Sequence, residues 1–112
     1  MKNRPAPAKE SQIQSAIEEY LKLLEGSGRL CYIKNNSGAQ KTQQGSFLRF
    51  GKKGSPDFLL FRAGGKCVHL EVKSSQGRQT DSQRQYQSLV ESLGHRYAIV
   101  RSVGQAKDLL EA

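Results

Sequence analysis

The sequence predicts an α/β fold: a small mixed β-sheet flanked by helices, in the order helix, strand, strand, strand, helix, strand, helix. Three observations predict it. Residues 10–26 and 80–94 space their apolar side chains as amphipathic helices do. Residues 57–73 read as two strands joined through Ala63, Gly64 and Gly65. A compact apolar strand, 96–101, then follows the second helix.

In the first helix, Ile13, Ala16, Ile17, Tyr20, Leu21 and Leu24 form the apolar stripe, and Gly26 is the natural stop. "RLCYIK", 29–34, is a short strand. "NNSGAQKTQQGSFLRFGKKGS" is polar, Gly-rich and basic, with Phe47, Leu48 and Phe50 apolar, and reads as a long functional loop that can hold a small hairpin. "DFLLF", 57–61, and "KCVHLEVK", 66–73, are the hairpin strands. In the second helix, Thr80 with Gln83 makes a capping box, Tyr86, Leu89, Val90 and Leu93 form the stripe, and Gly94 ends it. "RYAIVR" is the fourth strand and "GQAKDLLEA" the last helix. A tight hairpin makes strands two and three antiparallel. The helical crossover after strand three makes strand four parallel to it. Residues 1–9, with Pro-Ala-Pro, read as a disordered lead-in, and 10–112 as one domain.

At 112 residues the core is modest, which leaves oligomerisation open. Eighteen Lys and Arg against ten Asp and Glu give a net charge of +8, and with a pI near 9.8 this points to a polyanionic partner, most simply nucleic acid. The bland alternative is that the charge only aids solubility. No apolar run approaches the ~18 residues of a membrane span, and the first ten residues lack the apolar core of a secretory signal. The expected location is therefore the cytoplasm. Cys31 and Cys67 are too few for a disulfide framework, lack metal-ligand spacing and read as strand filler.

Chemistry concentrates in the hairpin. Val68, Leu70 and Val72 point to one face of their strand, and Cys67, His69, Glu71 and Lys73 to the other. A three-residue Ala-Gly-Gly loop sets Arg62 against Lys66 and so Asp57 directly against Glu71. A two-residue Gly-Gly turn shifts the register by one and sends Asp57 to the opposite face. Two carboxylates that close repel unless a hard cation such as Mg²⁺ lies between them. A lysine beside such a pair suits phosphodiester hydrolysis, because it orients water and offsets phosphate charge. Taking ~100° per residue, Glu10 lies about 60° from the centre of the first helix's stripe, whereas Glu18, Glu19 and Glu25 lie ~120° or more away and read as solvated. Gln83 sits in the first turn of the second helix, at the edge of its stripe.

These residues resemble a known family. Pro56-Asp57 followed by Glu71-Val72-Lys73 matches the PD-(D/E)xK nuclease motif. "ESQIQSAIEEYL", "NNSGA", "GSPDFLLF" and "HLEVKSSQGRQTDSQRQYQ" look, in order, like the segments of the viral-type replication-repair nuclease (VRR-NUC) domain, in its stand-alone phage and bacterial type. The resemblance implies a restriction-endonuclease-like core (αβββαβ) and Mg²⁺- or Mn²⁺-dependent cleavage of DNA. It implies Asp57, Glu71 and the main-chain carbonyl of Val72 as metal ligands, Lys73 as the catalytic lysine, Glu10 as the first-helix acid and Gln83 as the helix glutamine of the site. Stand-alone members look like dimeric resolvases of branched DNA such as Holliday junctions, so the same substrate class and a homodimer are expected. His69 and Gln12 depart from the pattern.

The competing interpretations are specific. Asp57, Glu71 and Lys73 could be a surface ion-pair cluster, Glu10 a dipole-favoured N-terminal acid, and Gln83 only a capping residue. His69 reads as a satisfied, partly buried histidine and His95 as a surface one. Lys34, Lys41, Arg49, Lys52, Lys53, Arg78 and Arg84 flank the site in sequence and could neutralise phosphates. Asn35, Asn36 and Ser37 could bind a backbone or form a turn. A non-catalytic nucleic-acid-binding module with a vestigial site is the rival function, and a sequence-specific restriction enzyme a weaker one.

Overall fold

A computed structural model describes residues 6–111. The first helix, α1 (Glu10–Gly26), buries Ile13, Ile17, Tyr20, Leu21 and Leu24, the predicted stripe apart from Ala16. The left-handed residue behind it is Gly28 (φ 75°) rather than Gly26, because the last turn runs on to Ser27. Strands β1 (Leu30–Lys34), β4 (Phe58–Arg62), β5 (Lys66–Val72) and β6 (Arg96–Val100) form one sheet in that order. Strands β1–β4 and β4–β5 pair antiparallel, and β5–β6 pair parallel across the helix α2 (Asp81–Ser92). The basic loop holds the small hairpin, β2 (Gly38–Lys41) paired with β3 (Phe47–Phe50), as a separate sheet. Helix α3 (Val103–Glu111) closes the chain. Of the lead-in, residues 6–9 form no helix or strand; 1–5 lie outside the described residues.

The core lies between α1, α3 and one face of the sheet. Phe58, Leu60, Val68, Leu70 and Val72 alternate onto that face and meet Ile17 and Leu21 of α1 and Ala106 and Leu110 of α3. Each fully buried Leu, Val or Phe there contributes roughly 1.5–3 kcal/mol. The other face is covered unevenly. Helix α2 lies over β5 and β6, with Tyr86 against His69 and Tyr97. Over β1 and β4, Ile33 and Phe61 remain 50% and 43% exposed.

Three expectations change. Leu89 and Leu93 of the α2 stripe are exposed, because the helix turns Tyr86 and Val90 toward the sheet instead. Cys31 is exposed rather than strand filler. Glu18 is only partly exposed: it accepts from the Tyr32 hydroxyl at 3.0 Å and pairs with Lys34 at 3.5 Å; Glu25 stays exposed, as expected, while accepting from the Tyr32 amide at 3.0 Å. Their backward side of α1 faces β1, the edge strand. Among the described residues, no helix is long and apolar enough to cross a membrane.

Candidate active site

The Ala63–Gly65 connection is a three-residue turn, with Gly64 and Gly65 at φ 77° and 73°, a conformation open to glycine without strain. It pairs Arg62 with Lys66 and, through to the end of the ladder, Phe58 with Leu70. One step beyond that ladder stand Asp57 and Glu71, close enough for their carboxyls to share a hydrogen bond. Asp57 Oδ2 accepts from the Val72 amide at 2.8 Å, which fixes its carboxylate against β5.

Glu71 is 3% exposed. Burial, first of all, then a hydrogen bond shared with the Asp57 carboxyl and that group's charge, push its pKa up to about 9; Lys73 opposes the shift and Glu10 adds to it. Glu71 Oε2 is buried without a hydrogen-bond partner among the described residues. An unmatched buried oxygen costs about 1–3 kcal/mol, so a cation or hydrogen-bond donor beside Glu71 Oε2 would be stabilising. Lys73 is 7% exposed. Its amide continues the parallel ladder to the Val100 carbonyl at 3.0 Å, and its Nζ lies 4.0 Å from Glu10 Oε1. The first turn of α1 therefore supplies a third carboxylate at the rim of the Asp57–Glu71 pair. Asp57 and Glu71 offer oxygen atoms, the donor type a hard divalent cation takes, while Glu10 stands back beside the Lys73 ammonium.

Other candidates are placed differently. Gln83 has its Oε1 on the Thr80 amide at 2.9 Å, and Thr80 Oγ1 accepts from the Gln83 amide at 3.2 Å. The capping box thus holds that side chain at the helix start. Lys34 is tied to Glu18, and Arg84 to Asp81 and the Gln79 carbonyl. Asn36, Ser37, Lys52, Lys53 and Arg78 are exposed on loops, and Arg49 is exposed on β3.

Two positioning roles escaped the sequence reading, which makes Asn35 a backbone-binding or turn residue and Arg101 the end of a strand. Asn35 is one: its Nδ2 donates to Ser55 Oγ and the Pro56 carbonyl, both at 2.8 Å, and its amide donates to the Asp57 carbonyl at 2.8 Å. It clasps the Pro-Asp segment to β1. Arg101 is the other, with Nη1 donating to the Ser74 and Gly77 carbonyls at 2.6 and 2.7 Å, which pins the loop leaving Lys73. Neither could be inferred from spacing, because each joins segments 20 or more residues apart.

Gly54 completes the support. At φ 84° it packs against the first turn of α2, where an added Cβ would collide with the Ser82 carbonyl. Gly54→Ala should lower stability by at least about 1–2 kcal/mol from backbone conformation alone, or upwards of ~4 °C in Tm. An unchanged melting curve would show that the loop does not seat Asp57 in this way.

A solved structure described as a VRR_NUC domain superposes on the chain with a TM-score of 0.65, covering 93% of this chain and 96% of that one at 21% sequence identity. The chain therefore has the restriction-endonuclease-like fold of a VRR_NUC domain. No protein-family model matches the sequence, and no curated protein does.

Proposed function

We propose that the chain is a PD-(D/E)xK nuclease of the VRR-NUC type: a Mg²⁺- or Mn²⁺-dependent endonuclease that hydrolyses phosphodiester bonds in branched DNA. The observation that carries the proposal is the meeting of Asp57 and Glu71 across the hairpin, with Glu71 Oε2 buried and unmatched and Lys73 on the same strand face. Asp57, Glu71 and the Val72 carbonyl would hold the ion, with Glu10 at its rim. The ion would supply a more acidic water and stabilise charge on the phosphoryl oxygens. Lys73 orients the attacking water and offsets charge on the phosphate, and Glu10 keeps the Lys73 ammonium aimed at the site. Asn35 and Gly54 hold Asp57 in register. The exposed Arg49, Lys52, Lys53 and Arg78, with the half-exposed Lys34, bind phosphates by charge, so affinity falls steeply with salt. Asn36 and Ser37 are within the same loop region and serve the DNA backbone.

A cleavage panel of single-stranded, duplex, flap and four-way-junction DNA with Mg²⁺ or Mn²⁺ tests this. Paired symmetric nicks in the junction are expected. Metal-independent binding with no nicking of any substrate would instead support the non-catalytic binding module.

Symmetric cutting requires two sites related by a twofold axis, hence a homodimer. The open half of the sheet supports one: Ile33 and Phe61 are exposed apolar side chains on the face that α2 leaves uncovered. An apolar surface of this kind suits a second copy better than a polyanion. Phe61→Asp with Ile33→Asp should convert a dimer to monomer in sedimentation without unfolding it. A wild-type monomer, or a double variant that stays dimeric, would remove this face from consideration.

A further inference from the structure

On the same face of β5 as Glu71, and further from the Asp57 end, a second group of ligand side chains takes no part in the nuclease chemistry. Cys67, His69 and His95 present one sulfur and two imidazole nitrogens that all lie within 4.8 Å of one another. Their assembly follows from local structure. Cys67 and His69 are two residues apart on β5 and so share the α2 side. Gly94, at φ 87°, turns the chain out of α2 and lays His95 in front of that strand, its ring edge-to-face with His69 at 5.2 Å between centroids.

The spacing is close to that of a metal site. Cys67 Sγ stands 3.9 Å from His69 Nε2. With metal–sulfur and metal–nitrogen bonds of about 2.3 and 2.0–2.1 Å, a tetrahedral zinc ion separates such atoms by about 3.6 Å. The remaining nitrogen of His69, Nδ1, meets the Tyr86 hydroxyl at 2.8 Å. A metal-bound histidine needs such a partner on its far nitrogen to fix ring orientation and tautomer. His95 is exposed, so its side chain can close the last few tenths of an ångström without disturbing the core.

We propose that Cys67, His69 and His95 form a binding site for a borderline-soft transition-metal ion, Zn²⁺ in the first instance, with Tyr86 as its positioning residue. Thiolate and imidazole ligands without a carboxylate favour Zn²⁺ over Mg²⁺ or Mn²⁺, which prefer oxygen. One strand face would thus sort two kinds of metal, a hard ion at Glu71 and a softer one at Cys67 and His69. The fourth position opens on a cleft of about 410 Å³ lined by Cys67, His95, Arg62, Lys66 and Arg96. The cationic rim favours an anion or hydroxide there. A bound ion would clip β5 to the turn between α2 and β6 and stabilise the fold by mass action. The site stands on its own geometry, independent of the nuclease function.

The test is Co²⁺ titration of the full-length, metal-free protein. One equivalent should give a near-ultraviolet thiolate-to-cobalt band with intense visible bands of four-coordinate cobalt, and one equivalent of Zn²⁺ should displace it. Cys67→Ser and His95→Ala should weaken binding at least about 100-fold, and Tyr86→Phe by about 10- to 100-fold. Cys31→Ser and Asp57→Asn should leave the band unchanged. No thiolate band in the wild type, a band that survives Cys67→Ser or is lost in Cys31→Ser, or unchanged affinity in His95→Ala would each overturn the proposal. His95 is exposed, so that last variant decides the matter even if Cys67→Ser fails to fold.

Discussion

Lys73→Met protein should fold, bind branched DNA within a few-fold of wild type, and cut it about 100- to 1,000-fold more slowly. Those factors are what a positioned charge or proton-handling group at a reacting phosphate is typically worth. Methionine is the informative replacement, because Lys73 is 7% exposed and its aliphatic stem packs; alanine would leave a void beside Glu71. The methionine variant keeps the stem and deletes the ammonium. It also frees Glu10, whose carboxylate faces Lys73 Nζ at 4.0 Å. Single-turnover cleavage with saturating protein separates the chemical step from binding. Wild-type rates in a folded Lys73→Met protein would remove the lysine from the mechanism.

Glu71→Gln should have opposite effects on activity and on stability. Cleavage should fall by about 100-fold or more, since one of the carboxylates proposed to hold the ion is lost. Metal-free stability at alkaline pH should improve relative to wild type. The sign follows from the direction of the shift. Burial and Asp57 push the Glu71 pKa from 4.5 up to about 9, so the folded protein keeps a proton that the unfolded chain releases. The contribution of this group is fully present below about pH 4.5 and is lost as pH rises toward about 9. In chelator, wild-type Tm should therefore decline across that window more steeply than Glu71→Gln. Mg²⁺ should raise the wild-type Tm at the alkaline end and leave the variant nearly unmoved. Parallel pH profiles for the two proteins in chelator would mean that Asp57 and Glu71 do not share a buried site.

The meeting of Asp57 with Glu71 was legible in the sequence because it depends on two local rules, side-chain alternation and the length of the Ala-Gly-Gly turn. Thr80 with Gln83 was legible for the same reason. The core face, Phe58, Leu60, Val68, Leu70 and Val72, follows from alternation alone. What was not legible depends on how elements lie across one another. Leu89 and Leu93 have the spacing of a buried stripe, but α2 seats Tyr86 and Val90 on the sheet, so periodicity overstated their burial. Glu18 was assigned to solvent by its angle on α1, without knowledge that the edge strand passes beneath it. Asn35 looked like a turn residue, and its role depends on a carbonyl 21 residues away. Cys67 lacked metal-ligand spacing along the chain, and only the turn at Gly94 brings His95 back to it.

The central claim is that the Asp57–Glu71 pair is a hard-cation site that cuts DNA. Its most direct test is nicking of a four-way junction as Mg²⁺ is titrated, for wild type and Asp57→Asn side by side. The wild type should cut only with Mg²⁺, at a rate that saturates with the ion, and Asp57→Asn should stay uncut at every concentration. Equal cutting by both proteins, or cutting by the wild type in chelator, would contradict the claim.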